Sequence, residues 1–246
     1  MSYMFNSCEA TTFPLLNMSK VTTAFYMFFQ CSKITTAPLI DLSNVQDCES
    51  VFRSCSSLDT CEISDFSNAT TISGLFAGCR KLKNTASNLT TPKVTSTSFM
   101  FYQCNNLETA PEMNTSNVTN MTKMFYDCNK LTTVPLYDTS KVTSMEEMFY
   151  YNSVLTTVPA YDCSNVTNMN RMFVNCWNLK SILMTNIGAN LDISSSTKFE
   201  REDLVLILNN LKTVTTTKTL KMGAANLAKL TDEDKLIATN KGWTLA

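Results

Sequence analysis

Eight phenylalanines fall on an almost constant step: Phe5, Phe28, Phe52, Phe76, Phe101, Phe125, Phe149 and Phe173 are separated by 23, 24, 24, 25, 24, 24 and 24 residues. A fixed period of this size marks a chain built by stacking one small unit on the next, because a single unit cannot bury its own apolar face. Three residues after each Phe stands Cys8, Cys31, Cys55, Cys79, Cys104, Cys128 or Cys176, with Asn152 the exception. Three further on comes Ile34, Leu58, Leu82, Leu107, Leu131, Leu155 or Leu179. The first copy is one residue short and has no clear equivalent there.

Within each unit the segment after the Cys reads as a short parallel strand, as in Leu131-Thr-Thr-Val134-Pro-Leu136 and Leu155-Thr-Thr-Val158-Pro-Ala160. Strand alternation turns Val134, Leu136, Val158 and Ala160 inward, and Thr133, Pro135, Tyr137, Thr157, Pro159 and Tyr161 outward. The recurring proline ends the strand or sits where its missing amide is not needed. A turn follows at Asp41, Asp65, Asn114, Asp138 and Asp162, whose short side chains can bond local backbone. Each unit closes through Met-x-x-Met-Phe, and Met145, Met148 and Phe149 share the i, i+3, i+4 spacing of one helical face. The expected α/β architecture is a right-handed solenoid with a parallel sheet on one face, helical turns on the other, about eight rungs over residues 1–184, and a cap.

After Met184 the period breaks. Thr197-Lys-Phe-Glu200 reads as a capping box opening a helix with an apolar stripe at Leu204, Ile207, Leu208 and Leu211. Leu220–Met222 reads as a strand, Thr231–Asp234 as a second helix start, Lys241-Gly242 as its stop and Trp243–Leu245 as a last strand. Residues 185–246 are expected to form an α/β capping segment that continues the sheet and shields its open edge.

The chain is 44% hydrophobic and 17% charged with a net charge of -1, so it reads as globular and disfavours nucleic acid as a partner. No apolar run is long enough to span a bilayer, and no signal segment opens the chain. Because Met1 falls inside a repeat, an upstream segment or a neighbouring subunit is expected to cover the first rung. Seven of the ten cysteines share one repeat position, and Cys48 and Cys61 take positions held by Met or Val in later copies. Consecutive rungs lie about 4.8 Å apart, but in-register side chains project in parallel, which is poor disulfide geometry. Buried free thiols are therefore expected, with Cys163 as the exposed exception. A zinc site is not, since there is no CxxC pair and no histidine.

The absence of histidine also removes the Ser-His-Asp and Cys-His constellations. With five glycines and no glycine-rich phosphate loop, no cofactor is implied. The acidic runs Glu146-Glu147, Glu200–Asp203 and Asp232–Asp234 fit helix starts and solvated faces rather than a glycosidase pair.

The repeated Met-Phe-x-x-Cys-x-x-Leu-x-x-x-Pro with Asp-x-Ser-x-Val-Thr resembles the BspA-like leucine-rich repeat proteins of bacterial surfaces, over roughly residues 1–184. The ending, Leu204 through Trp243, is similar to the close of such proteins in gut Bacteroidetes and their phages. The resemblance implies a non-enzymatic adhesion module that is extracellular or on a cell surface, binding protein or glycan on a host or bacterial surface. The alternatives are attachment to a phage virion and a passive spacer in a larger chain. The ligand face is expected on the sheet, through Thr133, Pro135, Tyr137, Thr157, Pro159 and Tyr161, with Met113 and Ile40 at the tyrosines' equivalent positions. Tyrosines suit sugars or side chains, since each joins an apolar face to a polar tip.

Overall fold

The computed structural model describes residues 1–246. It corrects the expected leucine-rich repeat solenoid: only 14% of residues are strand and 9% helix, too little for an extended eight-rung sheet backed by helical turns. The strands in the repeats are two residues long and lie in separate parallel pairs. They are β1 (Thr60–Cys61) with β2 (Asn84–Thr85), β3 (Asn88–Leu89) with β4 (Glu112–Met113), and β5 (Thr157–Val158) with β6 (Ser181–Ile182). Elsewhere the repeats meet through single-residue parallel bridges, notably a file through Thr23, Asp47, Thr71, Ser96, Asn120, Ser144 and Asn168. Pro38, Pro111, Pro135 and Pro159 lack the amide that a longer ladder would need.

The expected helical turns are absent because two left-handed residues bracket each Phe. At Phe125 these are Lys123 (φ 55°) and Asp127 (φ 59°), and at Phe149 they are Glu147 (φ 51°) and Tyr151 (φ 61°). Around Phe76 the same places are taken by Gly74 and Gly78, the residue type that adopts this conformation without cost. A side chain there costs about 1 kcal/mol or more. Hydrogen bonds to the next repeat offset that cost. The amides of Met121, Lys123, Phe125 and Asp127 donate to the carbonyls of Ser144, Glu146, Met148 and Tyr150 at 2.7–3.0 Å. One peptide group therefore accepts from the repeat before and donates to the repeat after. The Val51 carbonyl accepts from the Phe28 amide, and the Phe52 amide donates to Leu75, both at 2.9 Å.

Side chains stack on the same register. The Phe rings form a continuous file, buried from Phe28 to Phe173, with centroids 5.2–6.0 Å apart between successive repeats and planes within 15° of parallel. Beside it, Cys31, Cys55, Cys79, Cys104, Cys128 and Cys176 are buried and unpaired, while Cys8 is half-buried. Their thiols act as donors as well as small apolar groups. Cys55 donates to the Phe28 carbonyl at 3.1 Å, Cys104 to Phe76 at 3.1 Å and Cys176 to Phe149 at 2.9 Å. Asn152, the odd member, makes the same bond, its Nδ2 donating to the Phe125 carbonyl at 2.6 Å. Its Oδ1 is buried with no partner. Asn152→Cys keeps the donor and removes the orphaned acceptor, so it is expected to raise stability by about 1 kcal/mol, read as a higher denaturant midpoint.

Cys163 is buried rather than exposed. It follows Asp162, whose Oδ1 accepts the Ser164 amide at 3.0 Å, and this tight turn aims the middle residue inward. Leu42, Phe66, Thr115 and Thr139 are buried at the matching places. The equivalent turns at Asp41, Asp65, Asn114 and Asp138 close with bonds of 2.9–3.0 Å.

Beyond the repeats, β7 (Leu191–Asp192), β8 (Lys218–Lys221) and β9 (Trp243–Leu245) form a three-stranded parallel sheet in that order. Helix α1 (Arg201–Asn209) starts three residues later than a Thr197 box would place it, because the reciprocal cap is made by Glu200 and Asp203. Helix α2 spans Ala224–Leu227. Helix α3 (Asp232–Thr239) opens at the expected Thr231–Asp234 start, which closes as a capping box, and Arg201 of α1 grips Asp234 with two bonds of 2.7 and 2.8 Å. Phe199, Leu204, Ile207, Leu208, Leu220 and Trp243 belong to the same hydrophobic core as the Phe file.

Candidate recognition surface

The short strands place one small polar residue per repeat on a common face. Thr36 pairs with Thr60, Thr60 with Asn84, and Thr157 with Ser181. Of the residues expected on this face, Thr133 is exposed, while Thr157, Pro135, Pro159 and Met113 are half-buried. Tyr137 and Tyr161 are not on it. They are 3% and 0% exposed, whereas Leu136, expected inside, is 65% exposed and Ala160 is exposed as well. Strand alternation fails because the chain turns at the proline. The Tyr137 amide donates to the Pro135 carbonyl at 3.1 Å and the Tyr161 amide to Pro159 at 2.7 Å, three-residue turns that swap inside for outside. Each tyrosine hydroxyl then reaches back one repeat, to the Pro111 and Pro135 carbonyls at 2.9 Å. Burial pushes both phenols well above their ordinary ionisation range.

The side chains exposed in their place are leucines. Leu15 and Leu39 follow Pro14 and Pro38 and are 84% and 85% exposed. With Ile40 and Ile63 they line a groove of about 450 Å³, edged by Asp41, Glu62 and Asp65. The Ser43 hydroxyl and amide hold the Asp41 carboxyl below its usual range, so this edge stays negative. An apolar residue just after the proline, at Leu15, Leu39, Leu136 and Ala160 but not at Glu112, was the available signal for these exposed positions.

A second feature lies one residue past Phe101, Phe125 and Phe149. Tyr102, Tyr126 and Tyr150 stack with centroids 4.7 and 4.8 Å apart. Arg171 closes the end, 4.7 Å over the Tyr150 ring, and donates to its hydroxyl at 2.7 Å. Glu147 lies between Arg171 and Lys123, at 3.0 and 3.6 Å. Burial among these groups, and then the neighbouring phenols and carboxylates, push the Tyr126 phenol above its ordinary ionisation range. Because the rings cover one another, the row presents edges and hydroxyls rather than faces.

These features define a repeat protein whose units interlock in register and present a face of threonines and leucines. The chain belongs to the family described as "Mycoplasma protein of unknown function, DUF285", whose model matches residues 1–113, 35–135 and 106–201. A comparison with curated proteins finds no match.

Proposed function

We propose that the chain is a non-enzymatic recognition module, placed outside the cell or on a cell surface, that binds a protein or glycan of a host or bacterial surface. The observation that carries this reading is the exposure of Leu39 and Leu136 on a tightly bonded backbone, where water would otherwise exclude them. Side chains held at fixed spacing lose little freedom on binding, which favours such an array as a docking surface. Thr133, Thr157, Pro135, Pro159 and Met113 surround Leu136 and extend its contact area, and residues 185–246 cap the repeats. The resemblance to BspA-like surface proteins supports the same assignment.

The test is a glycan and protein array probed with the purified chain, followed by the double variant Leu39→Ser and Leu136→Ser. Binding to the ligand found is expected to weaken at least about tenfold, the scale of losing two apolar contacts. The melting temperature should hold, because both side chains are already exposed. Undiminished binding would make this face ordinary surface.

A further inference from the structure

In the repeats carrying Phe28 through Phe149, the amides four and two residues before the Phe donate to carbonyls of the following repeat. For the last of these, Met145 donates to Asn168 at 2.8 Å and Glu147 to Asn170 at 2.9 Å. In the next repeat the matching amides belong to Met169 and Arg171, and neither bonds to any protein group. Both residues line a cleft of about 350 Å³ between this repeat and the sheet of β7 and β8. Two amides that face a cleft without a protein partner are free to donate to an acceptor placed there.

The charges around the cleft point to what that acceptor is. Arg171 enters from the repeat, and Lys218 and Lys221 from the two ends of β8. Lys221 is answered by Asp192 at 3.0 Å and Arg171 by Glu147 at 3.0 Å, while Lys218 has no acidic partner. The Asn190 Oδ1 accepts the Thr219 amide at 2.8 Å, which leaves its Nδ2 as a donor at the cleft wall. Few of the lining residues are apolar, and the asparagines and threonines among them suit hydroxyl groups.

We propose that this cleft binds the carboxylate of an acidic sugar, with one carboxylate oxygen taking the place that a carbonyl fills in the earlier repeats. The carboxylate accepts from the Met169 and Arg171 amides, Lys218 supplies the unmatched positive charge, and the amide and hydroxyl side chains bind the ring hydroxyls. This rests on the reading of the chain as a recognition module and names a ligand class for it.

The experiment is an amide-resolved NMR titration of the full chain with D-galacturonate, with neutral D-galactose and with a glutamate-rich peptide. Galacturonate is expected to shift the Met169 and Arg171 amides saturably and to bind at least about tenfold more tightly than galactose. Lys218→Glu should weaken galacturonate by about tenfold or more while leaving the melting temperature in place. A second variant, Lys218→Gln, should fall between the two. Absence of saturable shifts at these amides, equal binding of galactose, or indifference to both Lys218 variants overturns the site. Tighter binding of the acidic peptide than of galacturonate overturns the sugar assignment. A silent cleft alongside ligand binding that depends on Leu39 and Leu136 would remove this inference and leave the recognition reading standing.

Discussion

Raising the pH should unfold the protein in one cooperative step near pH 10 (roughly, from the thiol reference value and slope). Burial pushes the thiols of Cys48, Cys61, Cys163 and Cys176 from the ordinary 9.0 up to about 12, and those of Cys55, Cys79, Cys104 and Cys128 are raised as well. In the folded chain these groups stay protonated, whereas in the unfolded chain they ionise above 9.0. The folded state then holds more protons, so the contribution is fully present below that value and is lost as pH climbs toward 12. One unit above the ordinary value each thiol withdraws about 1.4 kcal/mol, and the eight together withdraw roughly 11 kcal/mol. That matches the whole stability of a typical domain. Thiolate absorbance and circular dichroism should change together. Thiolate appearing gradually near pH 9 with the fold intact would show that the column is open to solvent.

The largest effect of a single substitution is expected at the middle of the aromatic file. Phe101 is fully buried, with Phe76 and Phe125 each 5.6 Å away. Phe101→Ala removes the ring from both neighbours and leaves a cavity, at a cost of about 4 kcal/mol. Thermal melting should fall by roughly 10 °C. Because each repeat supports the next, the transition is also expected to broaden or split. A loss below about 1 kcal/mol would mean that the file closes over the gap, the outcome at sites able to collapse.

The register of the fold was legible because the period is a property of composition at one position, and Phe recurs there without exception. Burial was legible too: Met145, Met148 and Phe149, read as one helical face, are all buried. The helix itself was misread, since spacing shows which residues turn inward and not the sign of φ between them. Two of the five glycines, Gly74 and Gly78, carried that information by sitting two residues either side of Phe76. Which side chains the repeats expose was misread for a related reason. Alternation was continued past Pro135 and Pro159, where the missing amide frees the chain to turn and exchanges Leu136 for Tyr137. Changing Tyr137 and Tyr161 to Ser would therefore empty the core rather than edit a surface.

The orientation of the peptide groups around each Phe has an electrical consequence. In the peptide groups that lead into Phe28, Phe52, Phe76, Phe101, Phe125 and Phe149 the carbonyl points toward the start of the chain and the amide toward its end. Aligned peptide dipoles add, as they do along a helix axis, and hydrogen-bonded amides in series polarise one another. In a helix the positive pole lies at the amino end. Here the positive pole of these peptides lies at the carboxyl-terminal end of the repeats, the end where Arg171 and Lys218 stand.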